Sequence, residues 1–137
     1  MQIAGWLRRL TSRSGGPPPA GDHRAFGAWG EDAAAEFLRK QGMKVLARNF
    51  QCPGVKGDLD IVAWEQETLV FVEVKTRRSS DVRTAESAVN WQKKRTLIRL
   101  ARAYRSRQRR TQLRWRYDVV SVYPGSIQHF PNAFKES

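Results

Sequence analysis

The patterning of this chain predicts an α/β fold in which helices pack on a mixed central sheet, in the order α-β-β-β-α-β-β. Three observations lead there. A helix-period apolar stripe begins near residue 26. A nearly unbroken β-branched and aromatic run, LVFVEVKT, covers Leu69–Thr76. A long, strongly basic segment of helical period then separates that run from two further strand-like stretches. The 137 residues, 40% of them hydrophobic, are enough for one core and not for two.

Taken in order, residues 1–25 read as a flexible Gly/Pro-rich leader to a domain spanning 26–137. Met1–Leu10 is a weak amphipathic helix or plain disorder, and its apolar run is too short for a secretory signal. Gly15, Gly16 and Pro17–Pro19 then break regular structure. Phe26–Gln41 is the first helix, with Trp29, Ala33, Ala34, Phe37 and Leu38 at helical spacing and Gly42 as its stop. On a helical wheel Asp32, Glu36 and Arg39 fall on the solvated side. Glu31 instead lines up with Ala34, Ala35 and Leu38, at the edge of the apolar stripe, an unusual place for a carboxylate. A first-turn glutamate favoured by the helix dipole gives the same position.

Strands are expected at Met43–Phe50, Asp58–Trp64 and Leu69–Thr76, the last of them central. Ala85–Arg110 follows as a long helix, burying Val89, Leu97, Ile98, Ala101 and Tyr104. Arg116–Tyr123 returns to strand, and Pro124-Gly125 turns it toward a short strand at Ile127–Phe130.

Composition excludes several classes. No apolar run reaches the roughly 18–20 residues a membrane span needs. One cysteine, Cys52, forms no intramolecular disulfide and no Cys-rich zinc site. Two histidines at opposite ends of the sequence, His23 and His129, argue against a Ser-His-Asp triad. The expected location is the cytoplasm. Chemistry, if present, falls to carboxylates and lysine.

The net charge of +12 is concentrated in residues 76–116, which hold 14 basic and two acidic side chains, whereas the remainder balances. Arginine dominates, and its planar fork matches phosphate oxygens. A basic segment on an otherwise neutral domain is the footprint expected for a polyanion, with nucleic acid favoured over a membrane surface. A solvated helix face that only aids solubility is the plainer reading.

The second and third strands are joined by Glu65–Thr68, a short polar loop compatible with a hairpin. A register symmetric about that loop sets Val62 opposite Phe71, Asp60 opposite Glu73 and Asp58 opposite Lys75. Opposed residues share a sheet face, so Asp58, Asp60, Glu73 and Lys75 converge at one end of the hairpin. Facing carboxylates repel, and Glu73 interrupts an apolar strand. A divalent cation, Mg²⁺ or Mn²⁺, would offset both costs, with Lys75 beside it to orient a water or balance charge on a phosphate. An ion-pair network in which Lys75 neutralises Asp58 and Glu73 explains the same residues.

Gly57-Asp58-Leu59-Asp60 followed by Glu73-Val74-Lys75 on the next strand resembles the motif of the PD-(D/E)XK nuclease superfamily, and the element order resembles its restriction-endonuclease-like αβββαβ core. The resemblance is closer to the YraN family, a mostly uncharacterised bacterial group of endonuclease-like proteins related to archaeal Holliday junction resolvases. It runs along residues 27–134: Gly30-Glu31 with Ala34 and Leu38, Gly57–Ala63, Leu69–Arg77, Val89 with Lys93, Tyr117-Asp118-Val119-Val120, and Asn132-Ala133-Phe134. It implies that Asp60 and Glu73 ligate Mg²⁺ or Mn²⁺, with the Val74 carbonyl and Glu31 completing the site, and that Lys75 is catalytic. Asp58, where the family more often has Glu, would stand behind the ligands as a shorter partner. Arg77, Arg78, Lys93, Lys94, Arg95 and Arg99 would contact the nucleic-acid backbone.

The expected function is a metal-dependent endonuclease on DNA, with branched or structured DNA as its target. The alternative is a nucleic-acid-binding module of nuclease fold without significant turnover. RNA binding, with Trp91, Tyr104 and Trp115 available for stacking, is a third reading. A junction-type substrate would favour a homodimer, and a small domain can take its specificity from a partner protein.

Overall fold

The computed structural model describes residues 6–9 (as backbone), 15–78, 90–110 and 112–136. Six strands, β1 (Trp6–Arg9), β2 (Lys44–Phe50), β3 (Leu59–Glu65), β4 (Thr68–Thr76), β5 (Arg114–Tyr123) and β6 (Ser126–Phe134), form one sheet in the order β1-β6-β5-β4-β3-β2. Only β4 and β5 run parallel; the other neighbours are antiparallel. Helix α1 (His23–Lys40) precedes β2, and α2 (Trp91–Ser106) lies between β4 and β5. The stretch from α1 to β5 is thus the expected αβββαβ core, with β6 and β1 added at one edge.

The two helices cover opposite faces. Ala34, Phe37 and Leu38 of α1 pack on Ile61, Val70, Val72, Val120 and Ile127. Leu97, Leu100 and Ala101 of α2 pack on Leu69, Phe71, Tyr117, Val119 and Phe130. Strands covered on both sides read as continuous apolar runs, which is why β4 stood out in the sequence.

Element limits differ from expectation for local reasons. α1 starts at His23 because the Asp22 carboxylate caps it, accepting from Ala25 N at 3.0 Å. It stops at Gly42 as expected: Gly42 (φ +95°) donates to Arg39 O, and Met43 donates to Leu38 O, a Schellman closure. Asn90 was expected inside the second helix. It is instead the extended N-cap of α2, accepting from Lys93 N at 2.9 Å, and the helix ends at Ser106, short of Arg110. Val89 and the expected helical turn before it lie outside the described residues. Trp6–Arg9, read as helix or disorder, is a strand along the outer edge of β6, whose free N–H and C=O groups accept a partner.

β6 runs on to Phe134 through a bulge at Pro131-Asn132, where Asn132 takes φ +53°. The bulge is held by the buried Asp118, which accepts from Asn132 N at 2.9 Å, from Arg116 Nε at 3.0 Å and from His129 Nε2 at 2.8 Å, with the ring proton placed on Nε2. Within the Tyr117–Val120 stretch, Asp118 therefore serves the sheet.

Candidate functional site

The β3–β4 hairpin has the expected register, from Glu65↔Thr68 to Ile61↔Val72. Its loop is shorter than expected: only Gln66 and Glu67 turn, both with positive φ, as a twisted two-residue hairpin requires. Symmetry about the same centre leaves the register unchanged.

Beyond Ile61↔Val72 the backbone ladder gives way to side chains. The Asp60 carboxylate accepts from Val74 N at 2.8 Å, occupying the donor that a continued ladder would use. Asp60 also hydrogen-bonds the carboxyl of Glu73, which is 3% exposed. Lys75 Nζ, on the same strand, and Lys93 Nζ, from α2, each lie 3.7 Å from Glu73 Oε2. Burial, followed by the hydrogen bond and charge of Asp60, pushes the Glu73 carboxyl up to about 9 against the opposing pull of Lys93 and Lys75. The Glu73 carboxyl is thus held toward its protonated form at neutral pH.

Glu31 is half-buried beside this pair, as its place on the wheel implied. Burial, with Asp60 and Asp58 adding to it, raises its carboxyl above the usual range, while Arg48 and Asn49 act in the opposite direction. α1 comes close enough because residue 30 is glycine; a Cβ there would overlap the Thr76 side chain at the end of β4. Asn49, in the left-handed region at φ +53°, bridges the outer carboxylates. With its amide turned to donate, Nδ2 lies 2.9 Å from Glu31 Oε1 and 3.1 Å from Asp58 Oδ2. Nothing in the sequence singles Asn49 out except that asparagine tolerates this backbone conformation.

Asp60, Glu73, Lys75 and Lys93 are therefore brought together, with Glu31 beside them. Asp58 does not oppose Lys75 across a ladder; it precedes β3 and is held by Asn49. Among the described residues no three His, Cys, Asp or Glu side chains converge as a ligand set by themselves. The oxygen donors at the centre are Asp60 and Glu73. The Val74 carbonyl, which the family resemblance adds to them, belongs to the strand residue whose N–H Asp60 already holds. Hard donors of this kind suit a small divalent cation, whose charge would displace the proton on Glu73.

The predicted backbone contacts divide. Lys93, Lys94, Arg95 and Arg99 all project from α2. Lys94 lies 5.5 Å from the Phe134 ring centre, Arg95 lies 5.0 Å from that of Trp91, and Arg99 donates to Gly54 O at 3.5 Å. Arg78 is exposed and lies against the leader: it stacks on Phe26 and donates to the Pro18 and Pro19 carbonyls at 3.0 and 3.1 Å. Arg77 is half-buried, its backbone N–H donating to Val122 O at 2.8 Å.

Fold and site together define an α/β protein with a buried glutamate, a half-buried aspartate and two lysines where β3 and β4 part. The model of the uncharacterised protein family UPF0102, the YraN family, matches residues 30–122, and the chain belongs to that family. It is 44% identical over 114 residues to a UPF0102 protein of Syntrophotalea carbinolica, covering 80% of this chain and 91% of the relative. A UPF0102 protein of Koribacter versatilis is 44% identical, covering 77% of this chain and 73% of its own length. One from Caldicellulosiruptor saccharolyticus is 45% identical, with 73% and 83% covered. The family is bacterial. No helix among the described residues is long and apolar enough to cross a membrane.

Proposed function

We propose that this protein is a divalent-cation-dependent endonuclease that hydrolyses phosphodiester bonds in DNA, with branched or structured DNA as its substrate class. The observation that carries the reading is the Asp60–Glu73 pair. The buried Glu73 carboxyl meets the half-buried Asp60 where β3 and β4 part, so that Glu73 keeps a proton up to about pH 9, and two lysines stand within 3.7 Å of it. A purely structural role needs no such arrangement, because leaving a carboxyl out of water against another is unfavourable.

A Mg²⁺ or Mn²⁺ ion held by Asp60, Glu73 and the Val74 carbonyl would polarise a phosphoryl oxygen and acidify a water. Lys75 offers its ammonium to the attacking water and to charge gathering on the phosphate. Glu31 and Asp58, linked by Asn49, supply further negative charge beside the ligands. Lys93, Lys94, Arg95 and Arg99 extend a basic track along α2 for the phosphate backbone. A second copy of the chain or a partner protein would supply selectivity that so small a domain lacks.

One observation favours the non-catalytic reading: both lysines already compensate Glu73 without any cation. Wild type and Glu73→Ala, assayed with Mg²⁺ or Mn²⁺ on single-stranded, duplex, flap and four-way-junction DNA, separate the two. As a nuclease, the wild type cuts and the variant loses roughly 100-fold or more of that activity, since even residues behind metal ligands are worth 10–100-fold. Equal cutting by both proteins contradicts the proposal. If neither cuts while both bind DNA, the binding module is the correct reading.

A further inference from the structure

We infer that Trp91 is a stacking platform for an unpaired nucleobase of the DNA strand that reaches the Asp60–Glu73 site. The inference rests on the nucleic-acid part of the reading above and not on turnover.

Trp91 is 63% exposed, the most exposed large hydrophobic side chain among the described residues. Among the described residues, the other large aromatic side chains are committed elsewhere. Trp115 carries the Arg105 guanidinium 3.8 Å from its ring centre and donates its indole N–H to Glu136 Oε2 at 2.7 Å. Tyr104 meets Phe50 and Phe71 edge-on, Trp29 stacks on Phe26, and Trp64 packs against the core. Trp91 keeps a large apolar surface in water at the first residue of α2, where a polar side chain would satisfy the helix equally well. Its cation–π partner is Arg95, one turn further along.

Position gives this exposure its meaning. Lys93, two residues on, reaches Glu73, so Trp91 lies in the turn of α2 that approaches the carboxylate pair, on the side of the helix that it shares with Arg95. Lys93, Lys94, Arg95 and Arg99 put four cations on the same helix. An aromatic face set among cations is how proteins hold single strands: the cations follow the phosphates and the ring stacks on a base. A base inside a duplex is covered on both faces by its neighbours, so the platform is usable only at ends, flaps, junctions and single strands. Trp91 thus gives the site a preference for structured DNA that the carboxylates alone do not supply.

The test is binding by fluorescence anisotropy in metal-free buffer, where no cleavage intervenes. The probes are labelled single-stranded DNA, flap DNA, and a duplex capped at both ends by non-nucleotide linkers, which offers no unpaired base. The proteins are wild type, Trp91→Ala, Trp91→Phe and Trp91→Leu, with far-UV circular dichroism to verify folding. From the usual value of base stacking, Trp91→Ala should weaken single-strand and flap binding roughly 5- to 100-fold while changing capped-duplex binding by less than about twofold. Trp91→Phe should restore most of the loss and Trp91→Leu should not. An unchanged affinity in Trp91→Ala, an equal loss on capped duplex, or full rescue by leucine overturns the inference while leaving the nuclease reading intact. Failure of the wild type to bind any of the three DNAs overturns the nucleic-acid reading, and this inference with it.

Discussion

At the scale of single residues, Glu73 dominates the site because of where its proton sits. The folded chain holds that proton up to about pH 9, whereas the ordinary value is 4.5. Between those values the native state binds more protons than the unfolded state. Its stability contribution is therefore complete below the unfolded value and is lost as pH rises through the folded one. Asp60, Lys75 and Lys93 are the charged groups facing it. In metal-free buffer the denaturation midpoint of the wild type should fall as pH rises from about 5 to about 9, and Glu73→Gln should remove most of that slope. Parallel slopes in the two proteins would show that Glu73 does not hold the proton. Glu73 was legible in the sequence as a lone acid in an apolar run, and Glu31 as an acid out of place on a wheel. Asn49 was not, since a left-handed asparagine bridging two acids depends on tertiary contacts that no local pattern encodes. The surroundings of Arg78 were hidden for a related reason: a basic residue in a basic segment carries no mark showing that it lies against Phe26 and the proline carbonyls.

At the scale of elements, the site exists because α1 can approach β4. Gly30 faces Thr76 with no room for a Cβ, and the next residue is Glu31. Gly30→Ala should destabilise the fold by roughly 1–3 kcal/mol, the usual cost of overpacking, measured as a lower urea midpoint with an unchanged slope. A neutral result would mean that α1 shifts freely and that Glu31 is not rigidly placed. The hairpin register was readable because a turn symmetric about Gln66-Glu67 fixes it whatever the loop length. The two-residue turn itself was hidden, as neither residue is the glycine or asparagine that favours positive φ. The end of the ladder at Asp60 was equally hidden, because a side chain replaces a backbone partner there. β1 could not be seen in advance: Trp6–Arg9 lacks alternation, and its pairing depends on an edge that forms only when β6 is in place.

At the scale of the whole molecule, charge separates into an acidic centre around the buried Glu73 and a basic α2 beside it, within a chain of net charge +12. DNA affinity should accordingly fall steeply with salt. If four cations of α2 neutralise phosphates, log K should decline with log salt at a slope of about −3 to −4. A flat dependence would remove the basic helix from the interface. Cleavage requires the right DNA, whereas cation binding does not, so the most direct test of the account is a calorimetric titration of Mn²⁺ into wild type and Glu73→Ala near neutral pH, repeated in buffers of different ionisation enthalpy. The account predicts saturable binding to the wild type with proton release, because the cation displaces the proton held by Glu73, and loss of both in the variant. Absence of saturable binding to the wild type, or the same binding in the two proteins, would contradict it.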